Sequence, residues 1–156
     1  MWKWLGLAIS HAGMLAVGFA LGVYLLPILT APESPDAAQI EQSARAAMFS
    51  GTFTRDLEGS DFLHWGEGKI SITPTQVVHE GALAPGPDYK LYLTTKLVTT
   101  EAEFEAIKSQ SVRVGDVKTF NGFILDVPAD VDVQRFSAVV VWCEAFSEFI
   151  TAAEYR

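Results

Sequence analysis

From Leu5 to Leu26 the chain carries no formal charge, and only Ser10 and His11 interrupt its apolar run. No other stretch restricts the fold so strongly. A backbone in hydrocarbon must satisfy its own hydrogen bonds, so such a run is a helix. At 1.5 Å per residue it reaches about 33 Å, against a hydrocarbon core of about 30 Å. Trp2, Trp4 and Tyr24 stand near its ends, where amphipathic rings prefer the headgroup region. Gly18-Phe19-Ala20-Leu21-Gly22 is a G-x-x-x-G, a helix-contact spacing that Gly-rich spans also produce by chance. His11 is one neutral imidazole inside the span, tolerated rather than used.

Residues 1–30 are therefore expected to be a transmembrane signal anchor. Lys3 and the amino terminus precede the span, while Glu33, Asp36 and Glu41 follow it before the first basic residue, Arg45. The positive-inside tendency puts the N-terminus in the cytoplasm and the main domain outside, on a single-pass anchor in the cell membrane. The rival is a cleaved signal peptide. Leu29-Thr30-Ala31 followed by Pro32 is a poor cleavage site, and the apolar run is long for a signal sequence.

The rest has an ordinary soluble texture. Net charge is −8 over 156 residues, with no basic cluster, which excludes an electrostatic footprint for nucleic acid. One cysteine excludes an intramolecular disulfide and any multi-cysteine zinc or iron–sulfur site. His11, His64 and His79 are too scattered to form a metal motif by spacing. No Ser-His-Asp or paired-carboxylate spacing supports a hydrolase.

Residues 31–49 are expected to be a linker or stalk helix. Pro32 and Pro35 mark the exit from the span, and Ala37 to Met48 holds strong helix formers, read equally as a stalk or a flexible tether. From residue 50 the spacing predicts an all-β domain over 50–156, β-sandwich-like, with one short helix. Lys69–Thr73 alternates with period two and stops at Pro74; Gln76–His79 is placed to pair next, with His79 exposed at its end. Gly86-Pro87-Asp88 is a turn signal, with Asp88 expected to cap it through its own side chain. Tyr89–Leu93 alternates again. Thr100 to Glu103 has the form of a capping box, predicting a short helix over 101–108. Asn121-Gly122 between Val117–Phe120 and Phe123–Val127 predicts a type I′ hairpin. Asp126, Asp130 and Asp132 lack EF-hand spacing and read as a solvated acidic loop. Glu148 to Ala152 is a last strand.

The run Val139-Val140-Val141-Trp142-Cys143 is β-branched and aromatic, which favours a buried strand. Cys143 sits where that strand emerges at a sheet rim. Two readings stay open. A free thiol is among the most buried of side chains and fills a core position. A lone thiol outside the cytoplasm is also a candidate redox centre, given access and a lowered pKa. Glu144 beside it would raise that pKa. His64 is a candidate partner, as a thiolate neighbour or as a metal or haem ligand with Cys143, against a plain surface histidine. Trp65, Trp142, Tyr89 and Tyr92 are core or cross-strand packing more often than electron relays. No residue pattern names a cofactor, a substrate or a protein partner.

In order, Gly51-Thr52-Phe53, His64-Trp65-Gly66-Glu67-Gly68-Lys69-Ile70, Gly86-Pro87-Asp88 with its alternating strand, Asn121-Gly122, Val127-Pro128 and Trp142-Cys143-Glu144-Ala145-Phe146 resemble the electron-transfer DM13 (DM-thirteen) domain family. Together they cover about positions 50 to 153. The Trp-Cys-x-x-Phe strand is the specific part. Phe123-Ile124 stand where the family's pattern has a tyrosine, and the run after Phe146 does not close on Phe-Gly. The resemblance implies a small extracytoplasmic β module whose cysteine, here Cys143, is a redox centre. The alternative is a non-catalytic binding or assembly module in which Cys143 is structural.

Overall fold

The computed structural model describes residues 2–156. Helix α1 runs over Trp2–Thr30, long and apolar enough to cross a membrane. A signal sequence has the same character. The other elements are α2 (Ala37–Ala44), β1 (Phe49–Phe53), β2 (Gly66–Ile72), β3 (Gln76–Leu83), β4 (Tyr89–Thr94), α3 (Glu101–Ile107), β5 (Val112–Val117), β6 (Phe123–Asp126), β7 (Ala138–Cys143) and β8 (Glu148–Glu154).

Two antiparallel four-stranded sheets form, in the orders β1-β2-β3-β6 and β5-β4-β7-β8. Strand alternation sends one set of side chains from each sheet into a shared core. Phe53, Ile70, Ile72, Val77 and Leu83 come from the first sheet; Leu91, Leu93, Val139, Val141 and Ile150 come from the second. The all-β, sandwich-like fold thus follows from period-two burial between two sheets.

The second sheet is also covered outside. Tyr92, Val140, Trp142, Phe149 and Ala152 pack under Val98 and Phe104 of the α3 region. All six residues of β7 are therefore buried, which explains an apolar run without alternation. Helix α3 starts as its cap sequence dictates. The Thr100 side chain accepts from the Glu103 amide, and the Glu103 carboxylate turns back to the Thr99 amide at 2.8 Å.

Helix α2 lies within 31–49, ahead of the strands. Asp36 and Gln39 form a reciprocal capping box at its start. Its one buried residue is Ile40, and it lies against β3 and β6 instead of standing off as a stalk.

The Asn121-Gly122 hairpin does not form. β5 and β6 belong to different sheets, so the segment is a crossover between them. A type I′ turn needs two residues at positive φ; Gly122 adopts φ +85° and Asn121 is not in that region. Two bonds hold the crossover, one tertiary and one local: the Leu83 amide donates to the Phe120 carbonyl at 2.9 Å, and Thr119 Oγ1 donates to the Gly122 carbonyl at 2.6 Å.

His79 is not exposed. It is fully buried on the inner face of β3, between the rings of Phe53 and Phe123, at 5.2 and 5.0 Å between centroids. Its Nε2 donates to the Glu67 carbonyl at 3.0 Å, and Nδ1 has no partner. Beside it Gly68, at φ +119°, faces Gly81 across β2 and β3. A Cβ on Gly81 would stand 2.0 Å from the Glu67 carbonyl oxygen and 2.8 Å from His79 Nε2. Gly81→Ala is expected to lower stability by about 2 kcal/mol by prising this strand pair apart. A urea titration checks it; an unchanged midpoint would contradict the close packing.

Candidate functional site

Cys143 is the last residue of β7, on the face it shares with Val139 and Val141. Tyr89 of β4 stands directly across from it. Just before β4, Pro85-Gly86-Pro87 brings a carbonyl over the thiol: Cys143 Sγ–H donates to the Pro87 carbonyl at 3.0 Å. Asp88 turns the chain at φ +56°, and its carbonyl accepts from the Glu144 amide at 3.1 Å. The Asp88 carboxylate does not cap that turn. It pairs with Lys90 Nζ at 2.6 Å, and Lys90 also reaches Asp116 at 3.1 Å.

Burial pushes the Cys143 thiol above its ordinary pKa. The amides of Phe146 and Ala145 point at the sulfur and pull the other way, while Asp88 and Glu148 add to the rise. The group is a thiol at neutral pH, as its donation to Pro87 requires.

Glu144 is not what raises it. Glu144 lies on the other face of the strand, where its carboxylate takes Lys108 Nζ at 2.6 Å and the Tyr92 hydroxyl. Burial favours its neutral form, but these two bonds outweigh that and hold its pKa below the usual range. Tyr92 is pushed up by burial and by the same carboxylate.

His64 sits in the loop before β2. Asp61 organises that loop: its Oδ1 accepts from the amides of Leu63 and His64, both at 2.7 Å. Burial alone would raise the Asp61 pKa, but those amides and the His64 ring hold it low. The ring's Nδ1 faces the Asp61 carboxylate at 3.2 Å, which leaves Nε2 as its available nitrogen.

Cys143 and His64 line one cavity of about 510 Å³. Leu63, the Pro85–Pro87 turn, Tyr89, Phe146, Glu148 and Ile150 complete its domain side, and residues between Phe19 and Tyr24 of α1 supply the facing wall. Cys143 is 3% exposed and packs in the inner core cluster, and it is also one of the residues that line this cavity.

Of the four aromatics singled out by sequence, only Tyr89 shares this cavity. Its hydroxyl is pushed up by burial and by Cys143. Trp65 lies under the Arg55 guanidinium, 3.2 Å from the ring centroid, and Arg55 grips Glu67 with two bonds of 2.7 Å. Trp142 and Tyr92 belong to the outer cluster under α3.

Among the described residues, no three His, Cys, Asp or Glu side chains converge as a metal site would need. Asp126 takes Gln76 Nε2 at 2.9 Å, and Asp132 caps a 3-10 turn at Val133–Arg135. A group held in this cavity would lie among mostly apolar side chains, with Cys143, His64 and Tyr89 as parts of its wall. Sequence reasoning missed the roles of Pro87, Phe146 and the α1 wall. Their one signal was Gly-Pro-Asp followed by an alternating strand, which places a carbonyl at the same sheet end as the cysteine only once β4 is paired with β7.

No curated protein and no solved structure matches the chain. Residues 52–155, from β1 through the last strand, match the family described as Electron transfer DM13, and the chain belongs to that family.

Proposed function

We propose that this chain is a membrane-anchored, extracytoplasmic domain with a redox or electron-transfer role centred on Cys143, with His64 beside it as the candidate cofactor-binding residue. The family's electron-transfer character supports the class of function. One observation carries the reading to these residues: Cys143, His64 and Tyr89 line the same cavity. A core filler has no need of open space next to it. One cysteine cannot run a dithiol cycle, so a redox event passes through a sulfenic acid, a mixed disulfide or a bound group.

The second reading is a binding or assembly module in which Cys143 is structural. Its support is the raised thiol pKa and the Sγ–H bond to Pro87.

Alkylation separates the two. With the full chain in detergent, N-ethylmaleimide, small and apolar, is expected to modify Cys143 completely without denaturant. The reaction should be slow at pH 7 and about tenfold faster per pH unit up to the thiol's raised pKa, because only the thiolate reacts. A visible absorption band from a bound redox group would add to the redox reading. Modification only after unfolding, in a colourless protein, overturns it in favour of the structural one.

A further inference from the structure

We propose that the rim around the Cys143 cavity rests in the headgroup–acyl boundary of the membrane that α1 enters, so that the cavity opens onto lipid instead of bulk water. This rests on the reading of α1 as an uncleaved anchor.

Outside α1, five large apolar side chains are exposed among the described residues: Met48, Phe62, Leu63, Leu97 and Phe146. Two of them belong to this cavity and a third adjoins it in the chain. Leu63 and Phe146 line it, and Phe62, at 85% exposure, is the neighbour of Leu63. An apolar cluster of this kind on an otherwise charged domain marks a contact surface.

The anchor shows what covers it. Val23, Pro27 and Ala31 are the half-buried positions along the C-terminal part of α1 and its exit, four apart on one face. A hydrocarbon core of about 30 Å holds about 20 helical residues, so a span that begins at Leu5 ends near Tyr24. The wall that α1 gives the cavity, Phe19 to Tyr24, is thus the last stretch of the span. Leu63 and Phe146 face that stretch. The next stretch, with Leu26, Pro27, Thr30 and Pro32, faces Asp88, Lys90, Asp116 and Lys118. The domain side thus carries one carboxylate, Glu148, opposite Phe19 to Tyr24 and four charged side chains opposite Leu26 to Pro32, so charge rises along the helix axis in the same direction as in the bilayer.

The tether allows little else. Helix α2 is fixed on β3 and β6, so only residues 31–36 join it to α1. Six residues span at most about 20 Å.

The test uses the full chain with Cys143→Ser, carrying Phe62→Cys or Phe146→Cys labelled with the environment-sensitive dye NBD. The same label at exposed Glu105→Cys, on α3, is the control. Each variant is checked for an unchanged melting curve and reconstituted into phosphatidylcholine vesicles. Nitroxide lipids labelled high on the acyl chain are expected to quench positions 62 and 146 several-fold more than position 105, with blue-shifted emission at both. Equal quenching at all three positions, in protein that floats with the vesicles, overturns the rim contact and leaves the anchor standing. Protein that fails to float with the vesicles removes the anchor reading and the rim contact together.

Discussion

Trp142→Ala is expected to destabilise the fold by about 3–5 kcal/mol. Trp142 is fully buried, with its ring 4.9 Å from that of Phe104 and Lys108 Nζ 5.2 Å from its centroid. The void cannot collapse easily. β7 is hydrogen-bonded to β4 and β8 on its two sides, and the α3 region closes the space above. The indole N–H has no partner. Trp142→Phe is therefore expected to lose far less, because removing an unpaired buried donor offsets part of the lost packing, a term of about 1–3 kcal/mol. Denaturant unfolding of the full chain in detergent should show a lower midpoint at constant slope. A change below about 1 kcal/mol for Trp142→Ala would contradict the covering of this sheet face by α3. The same variant should speed native alkylation of Cys143, since it loosens the strand end that carries the sulfur.

Acidification is the second large effect, and His79 carries it. Burial lowers its pKa to about 4 from an ordinary 6.5, with its bond to the Glu67 carbonyl pulling slightly the other way. The unfolded chain then binds a proton between those two values while the folded chain does not. Stability is full above pH 6.5, falls as pH drops toward 4, and loses on the order of 3 kcal/mol across that window. Asp61, Glu67, Asp116 and Glu144, all held below their ordinary values, add their own losses at the acid end. His79→Gln keeps an N–H for the Glu67 carbonyl and does not titrate. Its melting temperature should be flat from pH 6.5 to about 5, where the parent's declines. Equal slopes in the two proteins would show that another group carries the effect.

Much of this fold was legible because single residues announce it locally. Pro74 stops β2, Thr100 and Glu103 start α3, and the alternation at Lys69–Thr73 and Tyr89–Leu93 sets which side chains face inward. What was not legible depends on pairing across long sequence distance. Asn121-Gly122 has hairpin chemistry, yet β5 and β6 find partners in opposite sheets, and the Leu83 amide holds the Phe120 carbonyl from across the fold. His79 beside Glu80 looks like a strand end; its burial follows from the register that sets Ile70 opposite it and Phe53 and Phe123 around it. The same limit applied to the site. Cys143 and His64 could be named from the chain alone, but that they border one cavity depends on β7 ending where the Asp61-organised loop folds back. The acids that act on the thiol, Asp88 and Glu148, are not its neighbour Glu144, because adjacent residues of a strand point to opposite faces.

The position of β7 inside its sheet also bears on what a reaction at Cys143 would disturb. A strand bonded on both flanks and packed on both faces has the slowest amide exchange in a domain, and Val139 to Trp142 should keep their deuterium-free signals longest. The sulfur is mounted on that stiff beam, while the Leu63–His64 loop and the turn at Phe146, which line the same cavity, lie at the surface. A change of oxidation state at the sulfur would then be accommodated by those segments with the sheet standing still. On the proposed reading, an oxygen or a partner thiol added there would be taken up on the cavity side of the strand.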